Sequence, residues 1–298
     1  MKQEPIDLVY TWVNGHDPDH QKISQQYAAI KRDLNPERTR DEYTLLKYSL
    51  RSVELYAPWV RNIYILTMRP QVPDWLNTAH PRIRIVHHDE IMDEQYLPTF
   101  NSHCIESFLS CIPGISDYFL YLNDDHLFGR ETEQTTFLNK ANKIQLYSTV
   151  MGEPIPFIYD NKINGLVSPL QHIPFLVYKP FWEDMLQVWD NKIHKTRSRK
   201  FRNSWCLDMG CLYRYYLVTR QRKQIQVIPA FRYLKYHVFL KVTNDLKKQQ
   251  AGIDKIRAMH PKFYCLNDDQ GDVPNQQVIT LVQNFLKEYY PQPSSYEI

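Results

Sequence analysis

From Ile6 to Asp125 the chain alternates short β-branched or aromatic runs with helical patterns, and every run ends in polar residues. Residues 6–13 form the first such run and stop at Asn14-Gly15-His16-Asp17-Pro18, a strong turn cluster. A polar helix-like stretch covers residues 19–33. Residues 41–56 put Leu46, Ser49, Leu50 and Val53 at helical spacing, with Asp41 near the start as a cap or dipole partner and Pro58 as the stop. Residues 62–67 and 83–87 predict strands, 102–111 a helix ended by Pro113-Gly114, and 118–122 a fourth strand. Strands alternating with helices imply an α/β, Rossmann-like fold with a mainly parallel sheet. In such sheets the ligand crevice lies beyond the carboxyl ends of the strands. Four polar clusters follow strand ends and are expected to meet there: the Asn14 to Asp17 loop, Thr67 with Arg69, His87-His88-Asp89, and Asn123-Asp124-Asp125.

The second half is less regular. Residues 155–168 read as a β-rich excursion, 179–188 and 205–219 as helices, 226–228 as a short strand, and 278–289 as an amphipathic helix with Leu281, Val282, Phe285 and Leu286 inward. Without a repeat or a low-complexity linker, 298 residues read as a single catalytic unit: residues 1–140 form a ligand-binding α/β half, and 141–298 the mixed helical and β-rich half that closes it.

A formal charge of +3 is too small to make duplex nucleic acid the default partner. Basic residues cluster between Lys192 and Arg202, which suits phosphate groups or an anionic membrane face, although a solvated loop is the plainer reading for most of them. No apolar run is long enough to span a bilayer, so the expectation is a cytoplasmic protein, with the inner face of a membrane as a peripheral station. The five cysteines lack CxxC spacing and read as buried small hydrophobes, with Cys104 and Cys111 seven apart on one helical face.

Two adjacent carboxylates after an apolar strand suit a hard divalent cation, Mg²⁺ or Mn²⁺, that shares its shell with substrate phosphates. Asp124 and Asp125 are therefore the metal or phosphate-edge candidates, with turn or capping carboxylates as the alternative. His87-His88-Asp89 lacks HExxH spacing and is not read as a metal site.

The strings Asp7-Leu8-Val9-Tyr10-Thr11-Trp12-Val13-Asn14-Gly15-His16-Asp17-Pro18, Leu46 to Glu54, and Ala57 to Tyr64 resemble the first two conserved regions of the Stealth proteins. The likeness continues through Leu97 to Ser102, Ile105-Glu106-Ser107 and Tyr121 to Asp125. His172-Ile173-Pro174, Lys200 to Ser204 and Phe263 to Asp268 resemble the later regions. The resemblance implies a hexose-1-phosphate transferase of the kind that builds phosphodiester-linked capsular polysaccharides, on a nucleotide-sugar transferase fold, similar to the catalytic core of the lysosomal-enzyme N-acetylglucosamine-1-phosphotransferase. The substrates it implies are a UDP-sugar donor and a glycan or polysaccharide acceptor. Many members have Asp-Gly where this chain has Asn14-Gly15.

Phosphoryl transfer asks the protein mainly for positioning and charge stabilisation. His172 matches the family's His-x-Pro and is the expected general base. Arg61 and Arg202 match family positions and are the expected phosphate partners, and Arg51 is either another or a helix-surface ion-pair residue. Trp12, Asn14, Gly15 and Asp17 are expected to hold the nucleotide, Gly15 by permitting close backbone approach. Asn101, Ser102 and Glu106 stand at a helix start that favours an anion, with Glu106 alternatively an orienting group. Asn267 and Asp268 form a second acidic turn, which closes the site or is a plain surface turn. Two other functions fit the same residues: a metal-dependent glycosyltransferase releasing UDP, and a noncatalytic polysaccharide-binding module built on some of the 21 Tyr and 6 Trp.

Overall fold

The computed structural model describes residues 4–147, 172–229, 232 and 234–298. The expected excursion at 155–168 lies outside them. The central sheet has strand order β3-β2-β1-β4-β7, with β1 Ile6–Thr11, β2 Ile63–Thr67, β3 Ile83–His87, β4 Tyr118–Asn123 and β7 Phe175–Tyr178. The first four are mutually parallel and β7 runs antiparallel to β4. The mainly parallel α/β architecture is therefore the observed one. Nearly every residue of β1 and β2 is buried, as expected of strands covered on both faces.

Helix α1 (Pro18–Tyr27) is shorter than the polar pattern and is followed by 3₁₀ turns at Lys31–Leu34 and Pro36–Arg38. Helix α2 (Leu45–Tyr56) buries Leu46, Ser49, Leu50 and Val53 completely, the face marked by their spacing. Each such apolar side chain contributes roughly 1.5–3 kcal/mol of burial. Asp41 accepts from the Leu45 amide at 2.9 Å, which satisfies one of the orphan donors at the helix start. The helix expected over 102–111 divides. Helix α4 (Ser102–Glu106), which follows the short α3 (His88–Ile91), ends where the Ser107 amide begins to share three carbonyls, and a 3₁₀ turn follows at Leu109–Cys111. Cys104 is consequently buried and Cys111 exposed, so the two do not share a helical face.

Beyond β4 the chain leaves the first sheet. β5 (His126–Phe128) pairs antiparallel with β10 (Phe263–Asp268), which pairs in parallel with β9 (His237–Val242); a two-stranded sheet joins β6 (Ile144–Tyr147) to β8 (Ile225–Ile228). Asp124-Asp125 is thus the turn that joins the two larger sheets. Helix α2 fixes this turn with two inward serines: Ser49 Oγ donates to the His126 carbonyl at 2.5 Å, and Ser52 Oγ accepts from the Phe128 amide at 3.0 Å. These hydroxyls supply the edge of β5 that no strand covers.

Helices α5 (Lys179–Val188), α6 (Asp190–Arg197) and α7 (Met209–Arg220) pack on the first sheet's side. Asp208 caps α7 by accepting from the Cys211 amide at 2.8 Å, which explains why this helix begins four residues after the expected start. Helices α8 (Leu246–Met259) and α9 (Gln276–Tyr289) form a second core with β9 and β10. In α9, Val282, Phe285 and Leu286 are buried as expected, while Leu281 is only partly so. Among the described residues no helix is long and apolar enough to cross a membrane.

Candidate active site

The carboxyl ends of β1 and β4, the end of β10 and the start of α4 open onto one cleft of about 1120 Å³. Thr11, Asn123, Asp124, Asp125, Asn267 and Asp268 all line it. Parallel pairing dictates this convergence, because it brings the polar residue that ends each strand to the same edge: Thr11 faces Asn123 in the register of β1 and β4.

Asp125 is buried at the cleft floor, and its Oδ2 lies 3.0 Å from His172 Nδ1. The same oxygen accepts from Asn267 Nδ2 at 3.2 Å and from the Cys265 thiol at 3.2 Å. Burial works to raise the Asp125 pKa, but the charge and hydrogen bond of His172, with help from Asn267, bring it well below the ordinary carboxylate range. The converse holds for His172: burial lowers its pKa, Asp125 more than offsets that, and the net shift is upward from 6.5. With Nδ1 donating to Asp125, Nε2 is the ring nitrogen left to exchange a proton with a substrate.

The position of His172 is imposed by β9. His237 Nε2 lies 3.0 Å from the His172 carbonyl oxygen, and the imidazole sits between the rings of His126 and Phe239, at 5.7 and 5.6 Å between centroids. Its φ of 53° is in the left-handed region, uncommon for a residue with a Cβ and held here by surrounding contacts. His126 plays a different part. Its Nδ1 lies 3.0 Å from the Asn123 amide nitrogen and 3.1 Å from the Asn123 carbonyl oxygen, and burial pushes its pKa down to about 4. His126 is neutral near pH 7, so His172 is the group that balances Asp125's charge.

Asp124 is half-buried beside the pair. Burial, and then the negative charges of Asp41 and Asp125, raise its carboxyl well above the ordinary range. Asp41, Asp124 and Asp125 all line the cleft and offer oxygen ligands of the kind a divalent cation takes. Asp125, His126 and His172 also have ligand atoms within 4.8 Å of one another. This is the metal-compatible group among the described residues, and His172 Nδ1 in it already serves Asp125.

Another wall is a hydroxyl and carboxylate network. The Tyr121 hydroxyl lies 3.0 Å from both Thr11 Oγ1 and Asn123 Oδ1, and 3.3 Å from Glu106 Oε1, while His103 Nδ1 lies 3.4 Å from the other Glu106 oxygen. Ser102 and Arg202 flank it, with Arg202 Nη1 3.5 Å from Ser102 Oγ. Trp12 and Gly15 also line the cleft, and the buried Trp12 Nε1 has no hydrogen-bond partner among the described residues. Gly15 is required by close approach: its amide donates to the Thr39 carbonyl at 3.0 Å, and a Cβ would lie 2.4 Å from that oxygen.

Several expected contacts are corrected. Arg61 lies at the opposite, amino-terminal edge of the sheet, where its Nε and Nη2 donate to the two Asp7 oxygens at 2.8 and 2.6 Å. Arg51 donates to both oxygens of Glu297 at 2.7 Å and to the Tyr290 carbonyl, so it is an ion-pair residue of α2. Asn101 is fully buried, with its side chain spent on the His103 amide and the Thr196 and Arg199 carbonyls. Asp17 caps α1 through the His20 amide, and Asn14 Oδ1 accepts from the His16 amide; both shape the loop from outside the cleft lining. Asp268 lines the cleft but is fastened to Arg40. In the basic stretch, Arg197 is engaged by Ser107, and Lys200 by the Tyr96 and Leu97 carbonyls.

Sequence reasoning missed His126, Cys265, His237 and Phe239. His126 stands directly after the acidic pair, and that adjacency was the available signal. The other three come together with the site only through β9 and β10 pairing.

Residues 4–29, 38–146 and 254–298 match the family models of Stealth protein conserved regions 1, 2 and 4. The chain is 35% identical to the exopolysaccharide phosphotransferase SCO2594 of Streptomyces coelicolor, over 98% of the chain and 51% of that protein. It is 30% identical to the capsular polysaccharide phosphotransferase fcs1 of Haemophilus influenzae, over 89% of the chain and 78% of that protein. It is also 30% identical to the capsular polysaccharide phosphotransferase SacB of Neisseria meningitidis serogroup A, over 98% and 57%. It thus spans about half the length of most of these relatives. Among solved structures, the galactosyltransferase LgtC in complex with donor and acceptor sugar analogs aligns over 97% of both chains at 11% identity, with a TM-score of 0.49. On the three regions and the identity to fcs1, the chain belongs to the Stealth family.

Proposed function

We propose that this chain is a phosphotransferase that moves a hexose-1-phosphate, in the first instance an N-acetylhexosamine-1-phosphate, from a UDP-sugar to a hydroxyl of a glycan acceptor in capsule or exopolysaccharide synthesis. The names of its relatives support the phosphotransferase class. The observation that carries the mechanism is the pairing of buried Asp125 with half-buried His172 at the floor of the cleft.

In this reading Asp125 orients the imidazole through Nδ1, and Nε2 takes the proton of the acceptor hydroxyl as its oxygen attacks the phosphorus next to the sugar. The bond from that phosphorus to the bridging oxygen breaks, and UMP leaves with the electron pair. Arg202 offsets negative charge on the transferred phosphoryl group. Glu106 and Ser102 hold the donor sugar, and Trp12 and Gly15 line the nucleotide side. Asp124, with Asp41 and Asp125 beside it, would hold Mg²⁺ or Mn²⁺, which when bound supplies Lewis-acid and template chemistry to the phosphates. Residues 1–140 form the donor side and 141–298 the acceptor side of one catalytic unit. The core containing β1 to β4 also takes in β6, β8 and α7, which supports that reading. A cytoplasmic site of action, in reach of an inner membrane face, goes with it.

The test supplies UDP-N-acetylglucosamine and Mg²⁺ with a polysaccharide acceptor and identifies the nucleotide released. UMP together with a new phosphodiester is expected. Release of UDP would instead assign anomeric-bond chemistry and sink the proposal, and no turnover across a panel of donors and acceptors would favour a binding module.

A further inference from the structure

Arg38 lines the same cleft as Arg202. Its place is set by neighbours that are themselves fastened. The Asn35 side chain caps the 3₁₀ turn Pro36–Arg38 by accepting from the Glu37 amide at 3.1 Å. Two residues on, Arg40 reaches Asp268 and the Gly271 carbonyl, so the segment is clamped to the end of β10.

Two acids are near enough to influence Arg38, and both are engaged elsewhere. Asp33 Oδ2 accepts from the Ala29 and Ile30 amides at 2.9 and 3.1 Å. Glu37 accepts from the Gly271 amide at 2.6 Å through one oxygen and from Asn35 Nδ2 at 3.0 Å through the other. Among the described residues the Arg38 guanidinium has neither a hydrogen bond nor an ion pair. After burial, the largest influence on it is the positive charge of Arg202. Among the described residues the hydrogen bond of Arg202 is the long contact to Ser102. Two guanidiniums that line one cleft, neither paired with a carboxylate among the described residues, are complementary to an anion with several oxygens.

We propose that Arg38 and Arg202 form a two-armed clamp for the diphosphate of a nucleotide-sugar donor, which makes Arg38 a further donor-binding residue. This rests on the donor reading above and adds to it where the phosphates lie: between the Pro36–Arg38 turn and the start of α4.

Calorimetric titration of the full chain with inorganic pyrophosphate, UMP and uridine tests it. The Arg38→Gln variant is expected to bind pyrophosphate and UMP about tenfold or more weakly, with uridine unchanged, because a charge-assisted contact is lost and no internal partner is stranded. Arg222→Gln, which removes an equal charge from a residue outside the cleft lining, should bind all three as the wild type does. Unaltered pyrophosphate and UMP affinity in Arg38→Gln, or an equal loss in Arg222→Gln, overturns the clamp even if UMP release in the transfer assay upholds the donor reading. A loss of pyrophosphate affinity confined to Arg38→Gln, in a wild-type protein that shows no preference for UMP over other nucleoside monophosphates, upholds the clamp and removes the uridine donor.

Discussion

Asp7 and Asp125 are buried aspartates at opposite edges of the same sheet, and their partners separate scaffold from chemistry. Asp7, near the start of β1, accepts from two nitrogens of Arg61 and from the Asn62 and Ser116 amides at 3.1 and 2.7 Å. Every one of those donors is permanent: a guanidinium does not titrate in a protein, and an amide cannot. Asp125 has as its charged partner an imidazole, whose proton can come and go near neutral pH. The first carboxylate ties together the segments that lead into β1, β2 and β4. The second holds a proton acceptor at the edge where those strands end. A buried acid therefore points to chemistry only when its counter-charge is exchangeable.

The sharpest way to break this comparison is to remove the exchangeable partner. His172→Ala should lower turnover by about 10²- to 10⁴-fold, the range for loss of a general base, with the fold retained. Steady-state rates beside a thermal melt measure both, and near-wild-type turnover would end the assignment. Asp7→Ala should do the reverse. It strands Arg61 and two main-chain donors and should cost about 3 kcal/mol in urea unfolding, the low end for a broken buried pair because Arg61 is partly exposed. Turnover per folded molecule should be unchanged, and a selective loss of activity would contradict the scaffold role.

Asp125→Asn tests the coupling. The neutral form of His172 is the base, and its pKa is raised, so wild-type rate should fall as pH drops through a midpoint above 6.5. Removing the carboxylate leaves burial as the main influence, so the midpoint should move to lower pH; an NMR titration of the His172 ring would check it. The mildest test extends the comparison to Glu297. Burial raises this carboxyl, but Arg51, the Ser294 amide and Lys47 bring it from 4.5 to about 2. Its stabilisation is full above 4.5 and is lost as pH falls toward about 2. Glu297→Gln should lower stability at neutral pH and flatten unfolding free energy across that window, without touching turnover.

The four parallel strands of the first sheet were legible because each is a β-branched or aromatic run that ends in polar residues, whereas its antiparallel edge strand β7, four residues long, was not expected. The second sheet was not legible. β5 has three residues, below any useful period, and its partner β10 lies more than a hundred residues away in sequence. The same limit explains the sites. Asp124, Asp125 and His172, read from a strand end and a family string, do line the cleft, whereas Arg61 was misplaced because a motif does not reveal which edge of a sheet it occupies. Asn101 shows another blind spot: a buried amide that caps a helix and a cleft amide that meets sugar have the same sequence signature.

The turn at Asp124-Asp125 also sets a timetable. Asp125 leaves the ribosome early, but the Asn267 amide that completes its cradle lies 142 residues farther on. Because synthesis proceeds from the amino terminus, the first sheet can collapse while its most polar corner is still exposed to water. On the proposed mechanism, proton transfer then waits for β9 and β10 to arrive, so a nascent or truncated chain would have a sound first sheet and no activity.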